Sequence, residues 1–401
     1  MAVKIIVIEG PEKGKTFSFD KADRFLVGRA KKAHLRFSEK DLYISRHHFL
    51  LEISSEHCYI KDLNSKNGTF VNSKRITFAE VKNGDIIQIG DTTLKIIIYA
   101  EKLKDIKPIT HSAEDYILLE RIGKGGMAEV YKALKISTGE VVAFKWLNSS
   151  MSAKSFRLFE REISVMKKLN HPNLVRLIDY GEKNKRPFLI TEYLAGGDVG
   201  RLILKRKKPL SLKEACNIIY DILSGLEYAH NEGFIHRDIK VENILLDDKG
   251  KAKLSDFGFA KSYIEAGHSM FTKFGEVGGT FIYMAPEQIT NYRFVKPPAD
   301  IYSLGVCLYY MLTGYFPYPV PSPLQIAKGE IWNVNENELI DFILYKEPIP
   351  IKEIKPEIPD EIAKIIHTAL RKDIEKRYKT AKEMKEEIRI ALESGTEATS
   401  I

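Results

Sequence analysis

Short β-type runs of apolar residues fill positions 1–100: KIIVIEG, KTFSFD, DRFLVG, HFLLEI, HCYIKDL, DIIQIG and TTLKIIIY. Turn chemistry separates the runs, as in Lys13-Gly14, Lys66-Asn67-Gly68 and Asn83-Gly84-Asp85, because glycine and asparagine accept the backbone conformations of tight turns. Many short strands with few helical stretches predict an all-β sandwich or barrel. The segment EKLKDIKPITHSA (101–113) is polar, holds Pro108 and lacks periodicity, so it reads as a linker.

From about residue 116 the rhythm changes. β-type runs continue to about residue 194, interrupted by one helical stripe in which Phe159, Ile163, Met166 and Leu169 recur at spacings of 4, 3 and 3. Beyond residue 195 helical patterns dominate, among them LKEACNIIYDILSGLEYAH, IYSLGVCLYYMLTG and EIAKIIHTAL. The small polar residues after Leu392, ESGTEATSI, are expected to fray. A chain of 401 residues exceeds one ordinary core, so two domains are expected: 1–100, and 114–392 after the linker, with 393–401 as a flexible tail.

Composition changes this picture little. Hydrophobic residues at 44% and charged residues at 29% are ordinary globular values. The net charge of +8 suits phosphate-bearing ligands and equally a solvated lysine-rich surface. Three cysteines (Cys58, Cys216, Cys307) without CxxC spacing argue against a disulfide framework or a zinc site. With neither a long apolar run nor a basic-then-apolar leader, the expectation is a cytoplasmic protein without a membrane span. No nucleic-acid partner is expected.

Candidate chemistry lies in seven segments of the second half. RIGKGGMAEVYKA (121–133) brings Gly123, Gly125 and Gly126, which let a backbone approach an anion, and Val130. VVAFKWL (141–147) puts Lys145 in an apolar strand, where it needs a partner, and Glu162 in EISVMKKLNHP is placed to supply one. FIHRDIKVENILL (234–246), KLSDFGFA (253–260), GTFIYMAPE (279–287) and DIYSLG (300–305) follow in order. Each segment alone is equally a turn or a core run; all of them in register leave that reading little room.

Together these segments resemble the eukaryotic-type (Hanks-type) Ser/Thr protein kinase domain, across residues 114–392. The resemblance implies an α+β bilobal fold and roles position by position. Gly123, Gly125 and Val130 would cover ATP, and Lys145, oriented by Glu162, would hold its phosphates. Glu192 and Leu194 would bind adenine through their backbones behind Thr191. Asn243 and Asp256 would hold Mg2+ (or Mn2+), hard oxygen ligands for a hard cation. Asp238 would accept the substrate hydroxyl proton, and Lys240 would neutralise the transferring phosphoryl. Asp300 would steady the segment around Arg237, and Glu287 would pair with Arg377. Ser/Thr specificity follows from Lys240 and Thr280 in the family pattern. Ala128 departs from it, standing where a third glycine is usual. The run GKGGMAEVY is similar to many bacterial members. A pseudokinase scaffold, the alternative, would be expected to lack Lys145, Asp238 or Asp256; all three are present.

In the first half, Gly28-Arg29, Ser45-Arg46-His47-His48 and DLNSKNGTFVN (62–72) offer a guanidinium, hydroxyls and amides on turns. That set suits a phosphate monoester, with its double charge and acceptor oxygens. It resembles the forkhead-associated (FHA) domain, a β-sandwich that binds phosphothreonine peptides. The resemblance implies phosphate contacts from Arg29 and Ser45, assisted by Arg46 and Lys66, with Asn67 holding the peptide backbone. His48 would shape the loop, and His47 is expected to be an exposed bystander.

A phosphothreonine reader beside a kinase suggests self-referential control, including a transient dimer for trans-autophosphorylation. Because Arg237 precedes Asp238, an anion on the activation segment is expected. Glu276 could partly substitute for a phosphate, a solvated loop glutamate is the plain alternative, and Thr272 is a third possibility. Asp198 and Glu242 lean towards basic substrates, whereas Tyr310 falls where a further acid is sometimes found.

Overall fold

The computed structural model describes residues 2–19, 23–38, 41–54, 57–99, 115–124, 128–147, 163, 167–183, 186–257, 281–291, 295–330 and 334–397. In the first half lie β1 (Ala2–Glu9), β2 (Thr16–Phe19), β3 (Asp23–Gly28), β4 (Leu35–Arg36), β5 (Phe49–Ile53) and β6 (Cys58–Asp62). They continue with β7 (Thr69–Val71), β8 (Lys74–Ile76), β9 (Phe78–Val81), β10 (Ile86–Ile89) and β11 (Thr92–Tyr99). A six-stranded sheet, β2-β1-β11-β10-β7-β8, packs on a five-stranded one, β4-β3-β5-β6-β9. The sandwich core takes alternate residues of each strand, for example Ile5 and Val7 of β1 against Phe49, Leu51 and Ile53 of β5.

Strand β5 is buried along its whole length. Its odd-numbered residues enter the sandwich. Leu50, with Leu26 of β3 and Leu63, instead joins the apolar core of the helical part of the second half. On that same outer face Arg24 and Glu52 form a fully buried ion pair at 3.4 Å. The five-stranded sheet therefore has protein on both sides, which explains why HFLLEI reads as a continuous apolar run rather than an alternating one.

The second half opens with an antiparallel five-stranded sheet of order β12-β13-β14-β16-β15. Its strands are β12 (Tyr116–Lys124), β13 (Ala128–Lys135), β14 (Val141–Leu147), β15 (Leu177–Lys183) and β16 (Arg186–Glu192). Most of the expected helical stripe at 159–169 lies outside the described residues; Ile163 and Leu169 are described and buried. A small sheet of β17 (Gly197–Asp198), β18 (Ile244–Leu246) and β19 (Ala252–Leu254) then edges the helical lobe.

That lobe comprises α1 (Val199–Arg206), α2 (Leu212–Asn231), α3 (Pro286–Thr290), α4 (Pro298–Thr313), α5 (Pro323–Ala327), α6 (Glu336–Tyr345), α7 (Ile351–Ile354), α8 (Asp360–Ala369) and α9 (Ala381–Glu397). Every residue of α4 is buried, as expected of a helix that is apolar all round. Helix α9 runs past Leu392, where the composition predicts fraying. Arg389, four residues before Glu393, binds its carboxylate at 2.6 Å and carries the helix on.

Among the described residues no helix is long and apolar enough to cross a membrane, and all three cysteines are buried and unpaired. The expected linker 101–113 lies outside the described residues.

Candidate functional site

Between the sheet lobe and the helical lobe lies a cleft of about 610 Å³. Gly123 and Val130, cross-strand partners in the β12–β13 hairpin, form its roof with Ala143 and Lys145 of β14. Thr191, Glu192 and Leu194 line its rear edge. The Glu192 carboxylate is occupied elsewhere, by Lys253 at 2.7 Å and the Arg176 amide at 2.8 Å.

The floor is built around Asp300, buried in the first turn of α4. Its carboxylate accepts from the amides of His236 and Arg237, each at 2.8 Å, and meets His230 Nε2 at 2.8 Å. Burial would push the Asp300 carboxyl up, but these bonds and the neighbouring imidazoles outweigh it and hold it below its ordinary value. The bonded amides also hold Arg237 in the left-handed region at φ 68°, a costly conformation for a non-glycine residue.

After that turn the Asp238 Oδ2 lies 3.4 Å from Lys240 Nζ. The Asn243 side-chain amide donates to the Asp238 carbonyl (2.7 Å) and carboxylate (3.3 Å), leaving its oxygen as the atom it can offer a cation. Ser255 ties the two loops together: its amide donates to the Asn243 carbonyl at 2.9 Å, and its own carbonyl meets His236 Nε2 at 2.7 Å. Because the His236 Nδ1 accepts from the Asp238 amide, its Nε2 is the protonated, donating nitrogen.

Beside Ser255, Asp256 stands in a left-handed conformation (φ 61°) and binds Lys145 at 2.7 Å. Burial raises the Asp256 carboxyl, yet the Lys145 ammonium more than offsets this and leaves it lowered. Lys240 is the converse case: burial opposes its charge, while Asp238, Glu242 and Asp256 outweigh burial and raise it. Lys145 and Asp256 thus line the cleft, and Asp238, Lys240 and Asn243 cluster beside Asp256.

Of the other expected residues, Gly125, Glu162, Thr272, Glu276 and Thr280 lie outside the described residues. Asp198 caps α1 and pairs with the exposed Arg201 at 3.2 Å. Arg201 in turn donates to the Ile122 carbonyl in the roof at 2.6 Å. Gln288 carries no signal in the sequence, although its side chain donates to the Arg237 carbonyl at 2.8 Å and so braces the Asp238 turn. The Glu287–Arg377 pair forms with both guanidinium nitrogens engaged, at 2.6 and 3.2 Å.

The second expected site lies at one end of the sandwich. Gly28 is required there because a Cβ would meet the Arg46 carbonyl at 2.2 Å. That close approach lets the Arg29 and Ala30 amides donate to Ser45 and Arg46 carbonyls at 3.2 and 3.0 Å. The Ser45 hydroxyl accepts from the Lys66 amide at 3.0 Å, and Asn67 donates to the Tyr43 carbonyl at 2.8 Å. His48 accepts from the Ser45 amide at 3.1 Å and meets the Gly68 carbonyl at 3.2 Å, bracing both loops. Asp62, which the motif pattern does not single out, fixes the second loop through Ser65 and Thr69, both hydroxyls at 2.6 Å.

A cavity of about 380 Å³ opens beside these loops, lined by Arg29, Ala30, Lys31, Arg46 and Tyr345. Lys31 adds a cation outside the motifs. Ser45, Lys66 and Asn67 sit in the loops that frame the cavity rather than on its lining. His47 corrects the sequence reading: it is 2% exposed, covered by α6, which lies nearly three hundred residues further along the chain.

Burial is the largest cause in lowering His34, His47, His48 and His367 below the ordinary imidazole value. In the unfolded chain these rings take up protons near pH 6.5, whereas the native state resists them, so stability is full above that value and falls as pH drops below it. The melting temperature is expected to decline by a few degrees or more between pH 7.5 and 5.5. A melting temperature that stays level or rises in calorimetry would contradict these burials.

A five-stranded sheet lobe, a helical lobe and the cleft between them define the bilobal class of fold expected from the sequence. The protein kinase domain model matches residues 116–388, and the FHA domain model matches residues 25–90. The chain belongs to the protein kinase family and carries an FHA domain.

Among its relatives is the probable serine/threonine-protein kinase PknB of Lactococcus lactis, 33% identical over 276 residues (68% of this chain, 41% of the relative). The serine/threonine-protein kinase PrkC of Bacillus subtilis is 34% identical over 281 residues (70% and 41%). The serine/threonine-protein kinase chk-2 of Caenorhabditis elegans is 33% identical over 323 residues (74% and 66%). The chain therefore spans about two fifths of the length of those bacterial relatives.

Proposed function

We propose that this protein transfers the γ-phosphate of ATP to serine or threonine hydroxyls of proteins, and that its FHA domain binds phosphothreonine peptides to recruit substrates or to regulate the enzyme. The observation that carries the first part is the cluster of charged and amide side chains at the cleft: Lys145 and Asp256 line it and pair with each other, and Asp238, Lys240 and Asn243 are joined beside Asp256. Lys145 holds the α/β-phosphates; Glu162 orients it in this reading. Gly123, Gly125 and Val130 cover the nucleotide, and Glu192 and Leu194 meet adenine through their backbones. Asp238 orients the attacking hydroxyl and takes its proton, while Lys240 and Thr280 steady the neighbouring charge.

Among the described residues no cluster of three or more metal-binding side chains exists. An acid and an amide oxygen, Asp256 and Asn243, are instead what a Mg2+ ion needs when phosphates supply its remaining ligands. When bound, that ion neutralises charge on the phosphate oxygens. The charge of Asp256, kept by Lys145, suits it to this role at neutral pH.

We place the domains at 1–100 and 114–392 around the linker 101–113, and the protein in the cytoplasm. Thr272 or Glu276 supplies the anion facing Arg237, and autophosphorylation passes through a transient dimer. Mg-ATP-dependent labelling of the chain and of basic peptides tests the kinase reading. No transfer to either would return the protein to a phosphopeptide-binding scaffold.

The phosphopeptide reading has its own test. Arg29 lines the cavity, and its Nε donates only locally, to the Ile44 carbonyl at 2.9 Å. Arg29→Ala is expected to lower phosphothreonine-peptide affinity at least tenfold, since a charge-assisted phosphate contact is lost, with an unchanged melting temperature. Retained binding by the folded variant would refute the assignment.

A further inference from the structure

The FHA sheet and its phosphate loops meet the kinase domain differently. The sheet buries Leu26 and Leu50 against the helical lobe, with the Arg24–Glu52 pair beside them. The loops meet α6 through polar and aromatic contacts. Arg46 binds Asp341 at 3.1 Å, and His47 lies 3.5 Å from the same carboxylate. The His47 ring stacks on Tyr345 with centroids 5.8 Å apart and planes 5° apart. Lys32 donates to the Leu344 carbonyl at 3.2 Å, and its ammonium lies 5.2 Å from the Tyr345 ring centre. Tyr345 also forms a wall of the cavity that holds Arg29, Lys31 and Arg46.

Three features of this arrangement bear on ligand binding. The assisting guanidinium, Arg46, already holds an anion, and that anion comes from the kinase domain. The apolar sheet contact keeps α6 close to the loops, so Asp341 competes at a high effective concentration although one partly exposed ion pair is weak. A phosphate monoester carries nearly twice the charge of a carboxylate and more acceptor oxygens, so it can displace Asp341 from Arg46.

We propose that α6 is an internal ligand of the FHA phosphate face: Asp341 stands in for a phosphate on Arg46, Tyr345 closes one side of the pocket, and a phosphothreonine peptide binds by displacing this contact. The proposal rests on the phosphothreonine-binding reading of the FHA domain. Coupling of this kind is reciprocal, so peptide binding frees the outer face of α6 and loss of the α6 contact strengthens peptide binding. The sheet contact holds the domains together throughout, so the change is confined to the loop edge.

The experiment uses the full chain and its Asp341→Asn and Asp341→Glu variants, each checked for an unchanged melting temperature. A phosphothreonine peptide is selected from a degenerate library on the Asp341→Asn protein and titrated by fluorescence anisotropy into all three. The expected result is affinity about threefold or more tighter for Asp341→Asn than for the unaltered chain, with Asp341→Glu returning to the unaltered value. Binding by the unaltered chain that equals or exceeds that of Asp341→Asn overturns the internal ligand and leaves the phosphothreonine reading standing. A library that yields no peptide for any of the proteins overturns both.

Discussion

Asp238→Asn is expected to reduce phosphoryl transfer to a protein hydroxyl by roughly 10²- to 10⁴-fold, the range for loss of a positioned proton acceptor. The replacement keeps the shape of the side chain and can still accept from the Asn243 amide, which lies 3.3 Å from the native carboxylate. What it removes is the basic oxygen that receives the hydroxyl proton and the charge that faces Lys240 at 3.4 Å. ATP affinity should change little, because Lys145, Asp256 and the sheet-lobe residues, which line the cleft, are unaltered and Asp238 is not among its lining residues. The loss therefore belongs in kcat, with KM for ATP near the unaltered value. Steady-state transfer of labelled phosphate to a peptide measures both. Activity within tenfold of the unaltered chain would show that Asp238 is not the proton acceptor.

The second large effect is on stability. Arg377 is buried and donates to both oxygens of Glu287, at 2.6 and 3.2 Å, and to the carbonyls of Pro298 (2.8 Å) and Arg371 (2.9 Å). Its guanidinium also lies 5.1 Å from the Tyr302 ring centre. Arg377→Met leaves the Glu287 carboxylate without its counter-charge in a half-buried site, a loss of about 3–5 kcal/mol for such a pair. For a domain of this size that corresponds to a fall of roughly 10 °C in melting temperature.

Pairing Arg377→Met with Glu287→Gln should cost less than Arg377→Met alone, because no uncompensated charge then remains. Denaturant titration of both variants is the check; a single-variant loss under about 1 kcal/mol would show that the pair is not a structural tie. Helix α3 carries Gln288 as well as Glu287, and Gln288 holds the Arg237 carbonyl at 2.8 Å. Transfer activity should accordingly fall in the single variant before global unfolding sets in.

Much of the catalytic site was legible because its parts lie in short segments whose order is itself the signal. Asp238, Lys240 and Asn243 share one loop, and Asp256 sits thirteen residues beyond Asn243 on the next turn. The helices at 212–231, 298–313 and 360–369 follow from their apolar stripes, and their burial agrees. The bracing residues were less legible. Gln288 and Asp62 act through a few hydrogen bonds to loops, and a lone polar side chain carries no pattern that distinguishes it from a surface residue.

The end of the sandwich shows the limit most clearly. His47 reads as an exposed loop residue because its partners, Asp341 and Tyr345, lie almost three hundred residues away. The continuous run FLLEI was a usable signal, since a strand buried on one face alternates and this one does not.

The sequence by itself determined the two families and the order of the candidate segments in each, encoded in local spacing and in residue types that few other roles require. Only the tertiary structure decided where the two domains meet, that Arg46 faces Asp341, and that Gln288 braces the Arg237 turn. Those facts arise from packing between distant segments, where surface complementarity selects the partner and no periodicity along the chain records the choice.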